Sequence, residues 1–201
     1  MIWYIKILII LIILIIFIIS VIIFKLICKY KSNILKKKYH SNKHNTAIIL
    51  ITKPYRQNLF RKLESFLTDE VIFLKDIDLE KVLQKFDPKQ TKLYININSN
   101  NFENIIKNKE IKEVYIYSHG SRYGVFLVDK YYEYKNLNKY KIPEKDYIAQ
   151  IHCGHISKKY PKGITLEKFT KNIFYFDKKV RIINAYKYYN HELIKGNKLK
   201  L

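Results

Sequence analysis

Two dipeptides in this chain pair a residue capable of covalent chemistry with a glycine. His119 precedes Gly120, and Cys153 precedes Gly154. An imidazole can accept and return a proton near neutral pH, and a thiol beside it can act as a nucleophile. A glycine after the histidine lets backbone N–H groups approach a substrate oxygen closely. These residues predict acyl-transfer chemistry, with the amides of Gly120 and Cys153 as the natural donors to the oxyanion.

Both dipeptides follow short apolar runs that are typical of buried β-strands. Val114–Tyr117 leads into Ser118-His119-Gly120, and Tyr147–Ile151 leads into His152-Cys153-Gly154. The carboxyl ends of neighbouring parallel strands meet at one edge of a sheet, where α/β proteins hold their ligands. We therefore expect the imidazole and the thiol to share one cleft, provided that the two strands are adjacent and parallel.

The rest of residues 46–201 alternates between strand-like and helix-like segments. Strands are predicted at Ala47–Ile51, Val71–Leu74, Leu93–Ile97 and Val180–Ala185, a hairpin at Gly124–Tyr134, and helices at Leu59–Leu67, Leu79–Phe86, Phe102–Ile106 and Leu166–Ile173. Such alternation predicts an α/β fold, a three-layer sandwich whose mostly parallel sheet carries helices on both faces. The length is sufficient for one domain.

The two strand-end blocks resemble those of the caspase-like cysteine peptidases, the group that includes gingipains, legumains and separases. In that group a His-Gly pair closes one hydrophobic strand, the cysteine closes the next parallel strand, and caspases place a small β-hairpin between them, to which residues 123–136 are similar. The resemblance implies peptide-bond hydrolysis by a dyad in which Cys153 attacks and His119 protonates the leaving amine. It also implies a protein or peptide substrate, with Arg56 or Arg122 as candidate substrate-binding residues.

The same residues also admit interpretations without catalysis. Cys153 is equally compatible with a buried structural cysteine. The family usually has a small residue where this chain has His152, which either crowds the neighbouring strand or points into the site. The alternative function is therefore an inactive, membrane-anchored interaction domain of the same fold. A zinc site from His119, His152, Cys153 and His155 is disfavoured, because adjacent strand residues point to opposite faces and no C-x-x-C or H-E-x-x-H spacing occurs.

No motif indicates a cofactor. The chain lacks a P-loop, a G-x-G-x-x-G turn and a G-x-S-x-G elbow, so neither a nucleotide cofactor nor a serine nucleophile is expected. Asp76-Ile77-Asp78 is similar to the acidic pair of sugar-nucleotide transferases, but a helix N-cap before Leu79 explains it better. We expect neither a cofactor nor a metal.

The amino-terminal segment predicts a membrane anchor. Ile7 to Phe24 are eighteen consecutive uncharged residues, which as a helix span roughly 27 Å, the thickness of a bilayer core. This run is longer than the apolar core of a cleaved signal peptide. We assign residues 2–28 to a single transmembrane helix, 29–45 to a basic linker and 46–201 to the α/β domain.

Basic residues predict the orientation of the anchor and its lipid partner. Only Lys6 precedes the apolar run, whereas lysines are frequent directly after it, at positions 25, 29, 31, 36, 37, 38 and 43. The positive-inside rule therefore predicts a cytoplasmic carboxyl-terminal domain, and these lysines are placed to contact anionic lipid. Cys28 and Cys153 are poor candidates for a disulfide, which agrees with that compartment.

The net charge of +21 is not interpreted as a nucleic-acid footprint. Of the 38 basic residues only four are arginine, the better reader of bases, and the many Lys, Ile, Asn and Tyr residues share A/T-rich codons. No nucleic-acid partner is expected, and no pattern indicates an oligomeric state.

Overall fold

The computed structural model of this chain describes residues 2–55, 79–152, 163–176 and 188–193. They include the helices α1 (Ile2–Lys38), α2 (Leu79–Leu83) and α3 (Ser99–Lys107), and residues 188–193 are also helical. The strands are β1 (Thr46–Leu50), β2 (Thr91–Ile95), β3 (Glu113–Tyr117), β4 (Gly120–Ser121), β5 (Gly124–Phe126), β6 (Tyr131–Glu133), β7 (Tyr147–Ile151) and β8 (Ile173–Phe174). Two segments, Tyr134–Lys139 and Leu166–Phe169, are 3₁₀-helical.

A five-stranded sheet in the order β2-β1-β3-β7-β8 forms the centre of the domain, and every neighbouring pair in it is parallel. Leu50 lies opposite Ile95 on one side and Tyr117 on the other, and Tyr117 lies opposite Ile151. The predicted mostly parallel sheet is confirmed. A shared cleft requires β3 and β7 to be adjacent and parallel, and this condition is confirmed too.

Both faces of the sheet are covered, which explains why its strands are continuous apolar runs. Ala47, Ile49 and Ile51 point to the face that carries α3 and the small antiparallel strands. Ile48 and Leu50 point to the face that carries α2 and the carboxyl-terminal end of α1. The prediction of a three-layer α/β sandwich is therefore confirmed.

Strands β4, β5 and β6, which come between β3 and β7 along the chain, form a separate antiparallel sheet. This sheet confirms the predicted hairpin and extends it, because β4 adds a third strand directly after β3. Its buried residues Val125 and Tyr132 pack into the same core as Phe102 of α3. The small sheet is thus fixed to the main sheet beside the ends of β3 and β7.

The helix predicted over Leu166–Ile173 is wrong. Only Leu166–Phe169 is helical, as a 3₁₀ turn, and Ile173 lies in β8 opposite Ile148 of β7. A continuous helix and a 3₁₀ turn followed by a strand both bury apolar residues spaced three and four apart. The spacing alone therefore does not distinguish these two structures. The predicted strands Val71–Leu74 and Val180–Ala185 and the predicted helix Leu59–Leu67 lie outside the described residues.

Helix α1 continues from the apolar segment through Lys38, over much of the region predicted as a linker. Packing gives the physical reason, because this part of the helix contributes to the core. Tyr39 at its end is buried, and its hydroxyl donates a hydrogen bond to the Leu83 carbonyl of α2 at 2.5 Å. Leu35 packs against the same cluster. Tertiary contact therefore stabilises a helix that the lysine-rich sequence did not indicate.

Candidate active site

The ends of β3 and β7 meet at the carboxyl edge of the main sheet. Tyr117 and Ile151, the last residues of the two strands, lie opposite each other. Ser118 and His119 follow the first strand and His152 follows the second. Cys153, the candidate nucleophile, lies outside the described residues, and so does Arg56.

The backbone at His119 is held by the small antiparallel sheet. The His119 carbonyl accepts a hydrogen bond from the Phe126 amide at 2.8 Å, and the Ser118 hydroxyl donates to the Phe126 carbonyl at 2.7 Å. The His119 side chain is partly exposed. A histidine on a rigid backbone that remains open to solvent can exchange a proton with a bound molecule.

Gly120 lies where no side chain fits. A Cβ at this position would lie 2.6 Å from the Gly124 carbonyl oxygen and 3.1 Å from Nδ1 of His152. The first distance is well below normal van der Waals contact. The sequence suggested that a glycine is needed here to open the backbone towards substrate. The structure gives a second reason for a glycine, because the β4–β5 turn and His152 pack closely against it.

His152 packs against the neighbouring strand end, one of the two outcomes that its size suggested. It is 1% exposed, with its ring against Gly120. Its Nε2 lies 3.3 Å from the hydroxyl of Tyr134. Burial raises the pKa of Tyr134 well above its usual range, so this hydroxyl is protonated and can donate to an unprotonated ring nitrogen.

Gln150 adds a second polar side chain to the interior below the site. It is fully buried in β7 near the Tyr134 hydroxyl, and among the described residues neither its amide nitrogen nor its amide oxygen has a partner with full hydrogen-bond geometry. Because side chains alternate along a strand, Gln150 and His152 lie on the same face. In the sequence Gln150 belongs to the strand-end block Gln150-Ile151-His152-Cys153-Gly154, and the alternation Gln-Ile-His was the signal for a second polar side chain on this face.

Arg122 is engaged within the domain. Its guanidinium forms an ion pair with Glu167 at 3.0 Å and stacks over the Tyr175 ring, 4.3 Å from the ring centroid. Both charged side chains are partly exposed, at 31% for Arg122 and 42% for Glu167. An exposed pair of this kind can be exchanged for another carboxylate at little cost.

Only part of the zinc alternative falls on residues that the structure describes. No three His, Cys, Asp or Glu side chains converge there in a way that could hold a metal. His119 and His152 belong to the described residues, whereas Cys153 and His155 do not. The two described histidines differ in surroundings, one partly exposed and one enclosed.

Helix α1 is long and apolar enough to cross a bilayer. Its large apolar side chains from Trp3 to Ile19 are exposed all around the helix. Further along, burial follows a stripe of Phe24, Cys28 and Leu35, the face that meets the domain. The helix therefore has two parts, one exposed on every side and one packed along one face.

Comparison with solved structures gives a weak similarity to a caspase. The crystal structure of caspase-1 from Spodoptera frugiperda superposes with a TM-score of 0.36 at 18% sequence identity, covering 67% of this chain and 60% of that one. The chain thus spans less than two thirds of the length of this caspase. No protein-family model and no curated protein matches the sequence. A similarity of this size assigns neither a family nor an activity.

Proposed function

We propose that this chain is a membrane-anchored cysteine peptidase of the caspase-like type. The observation that carries the proposal is the in-register parallel pairing of β3 with β7. Extending that register by two residues would bring position 119 opposite position 153, and strand alternation would turn both side chains to one face. A proton carrier and a thiol would then meet at the carboxyl edge of the sheet, where α/β proteins bind ligands.

In the proposed reaction the Cys153 thiolate attacks the scissile carbonyl carbon, and the backbone amides of Gly120 and Cys153 receive the oxyanion. The His119 imidazolium donates its proton to the leaving amine as the C–N bond breaks, which leaves a thioester on Cys153. Water then attacks the thioester while His119 accepts a proton from it. Collapse of the resulting intermediate expels the Cys153 thiolate and releases the carboxylic acid, and with His119 now protonated the thiolate–imidazolium pair is regenerated.

The proposed substrate recognition involves an arginine and an acidic side chain. The Glu167 carboxylate lies 3.0 Å from the Arg122 guanidinium. A substrate carboxylate would replace Glu167 in the same geometry. Arg122 lies two residues after Gly120, in the turn between β4 and β5. Arg56 is the other candidate for the same role.

The proposed location is a membrane, with α1 as a single transmembrane anchor and the carboxyl-terminal domain in the cytoplasm. Support comes from the apolar character of this part of α1 on every side, since Ile7 to Phe24 carry no charge. A helix packed against a protein partner would hide one stripe, whereas a bilayer covers the whole circumference. The lysines after the apolar part supply the cytoplasmic bias and contacts with anionic lipid.

A second candidate function, a membrane-anchored interaction domain without catalysis, is favoured by His152. A side chain of that size, 1% exposed and packed against Gly120, fills space directly behind the proposed dyad. If the ring displaces the backbone of Gly120 from the position that an oxyanion needs, the fold persists without activity. The two candidates therefore share one architecture and differ in chemical reactivity.

Labelling of the full-length protein in lipid nanodiscs with an electrophilic peptide probe separates the two candidates. A peptidase should be labelled at Cys153, and the label should be lost in Cys153→Ala and strongly reduced in His119→Gln. The thiol of Cys28, 6% exposed, serves as an internal control for nonspecific alkylation. Equal labelling in His119→Gln and the unchanged protein would refute the dyad. A folded protein that takes up no probe would establish the second candidate.

A further inference from the structure

Helix α1 runs antiparallel to the strands of the sheet. At its carboxyl-terminal end the Tyr39 carbonyl accepts a hydrogen bond from the Leu93 amide at 2.9 Å, and His40 forms an antiparallel bridge with Lys92, near the start of β2. Nearer its amino terminus, Cys28 lines a pocket together with Asn96, which directly follows β2. Eleven helical residues rise about 16 Å, comparable with the length of a five-residue strand. The helix thus passes β2 from its carboxyl end to its amino end.

The connection to β1 requires the same direction. Only residues 39–45 separate α1 from β1, so the helix must end at the amino edge of the sheet, where β1 begins. No glycine or proline occurs from Ile2 to Lys38, and the helix is unbroken. The direction of its packed part therefore extends to its apolar part. Ile2 to Ile27 project beyond the carboxyl edge of the sheet.

We infer that the carboxyl edge of the sheet faces the bilayer, so that the site receives polypeptide from the juxtamembrane segments of other membrane-anchored proteins. The orientation depends on α1 crossing the membrane, and the substrate class rests on the proposed function. Lys25, at the end of the apolar run, lies three residues, or about 4.5 Å along the helix axis, beyond Cys28. His119 follows β3 by two residues, as Thr52 follows β1, and Thr52 lines the same pocket as Cys28. His119 is thereby placed roughly 5–10 Å from the hydrocarbon boundary.

The size of the gap defines what can enter it. An extended polypeptide needs about 5 Å, the spacing of neighbouring strands. A folded domain of 100 residues has a radius of gyration of about 13 Å and does not fit between the sheet edge and the lipid. Lys29 and Lys53 lie at this edge of the sheet, and their charges favour anionic headgroups and acidic chain segments. The geometry thus selects unfolded, membrane-proximal segments.

The orientation is tested without reference to catalysis. Full-length protein with Cys28→Ser and Cys153→Ser receives a single fluorophore through Lys53→Cys at the carboxyl edge or Glu110→Cys at the amino edge, both exposed positions. In nanodiscs with headgroup spin-labelled lipids, we expect at least threefold stronger quenching at position 53. Because helix direction, not charge, fixes the orientation, the ratio should persist in purely zwitterionic lipid. Equal quenching, or stronger quenching at position 110, would overturn the inference.

The substrate class is tested with co-reconstituted single-span reporter proteins. One reporter carries an unfolded acidic segment 5 residues from its span, and the other carries the same segment 40 residues away behind a folded domain. We expect at least tenfold faster cleavage of the proximal segment, and no such ratio in detergent-solubilised mixtures. Cleavage of the distal segment at the same rate overturns the substrate class. If neither reporter is cleaved and the peptide probe leaves Cys153 unlabelled, the proposed function has failed while the quenching result still decides the orientation.

Discussion

Lys145 at the start of the strand that leads to Cys153 offers the sharpest test of the fold. Its side chain is 0% exposed, and its ammonium group donates to the carbonyls of Asn108 at 2.7 Å and Ile111 at 2.9 Å. Burial, together with the nearby charge of Lys112, lowers the pKa of Lys145 from 10.5 to about 8. The lysine thus joins the segment after α3 to the beginning of β7, and the folded state holds its charge at a cost.

The sign and size of the dependence of stability on pH follow from proton linkage at Lys145. Between about pH 8 and 10.5 the unfolded chain binds more protons at this site than the folded chain, so the free energy of unfolding rises with pH. Below pH 8 the lysine is protonated in both states, and the full cost of burying the charge is present. From pH 7 to pH 9.5 the expected gain is about 2 kcal/mol. For a domain of this size that gain corresponds to a rise in Tm of roughly 4–8 °C.

The assay is thermal unfolding of the full-length protein in detergent micelles, followed by far-UV circular dichroism at the two pH values. Other titrating groups contribute equally to the unchanged protein and to Lys145→Met, so the difference between their Tm values isolates Lys145. That difference should move in favour of the unchanged protein by 4–8 °C at the higher pH. Lys85→Met, at an exposed position, is the matched control and should follow the unchanged protein. A difference that stays constant within 1 °C would refute the buried position of Lys145.

Three further predictions concern the carboxyl edge. Gly120→Ala should cost about 1–3 kcal/mol, because its Cβ would lie 2.6 Å from a backbone carbonyl oxygen; an unchanged Tm would contradict that close approach. Asn96 has a φ of 53°, and its side-chain oxygen accepts hydrogen bonds from the amide and hydroxyl of Thr52. Asn96→Gly removes the side-chain hydrogen bonds but tolerates this φ, whereas Asn96→Ala removes them and also disfavours the φ. Asn96→Ala should therefore lower Tm more than Asn96→Gly. Equal decreases in Tm would exclude backbone strain as a factor. Arg122→Gln should change the free energy of unfolding by less than about 1 kcal/mol, because its ion pair with Glu167 is partly exposed, and a drop in Tm of more than 5 °C would show that the pair supports the fold.

The strands that hold the candidate site were recognisable from the sequence, because burial on both faces leaves a continuous apolar run. Thr46–Leu50, Glu113–Tyr117 and Tyr147–Ile151 agree with the predicted strands within one residue at each end. The site residues follow from that recognition, since ligands bind where parallel strands end. The assignment of Cys153 and His119 to a dyad remains a prediction of the sequence.

Residues whose environment arises from distant parts of the chain were not predictable in this way. From the sequence Lys145 is indistinguishable from a surface lysine. In the structure two carbonyl groups from the segment after α3 accept hydrogen bonds from its ammonium group. Gln150 reads as an ordinary strand residue until helices and hairpin enclose it. Ile173 matches a helical stripe, and only pairing with β7 shows that it belongs to a strand.

From its sequence alone this protein is a long apolar helix followed by an α/β domain, with a histidine and a cysteine at two strand ends, because these features depend on composition and on local periodicity. The order of the strands, the neighbours of Gly120 and the direction of α1 across the sheet were decided only by the tertiary structure. Pairing and packing join residues far apart in the chain, and local periodicity carries no information about which partners they choose.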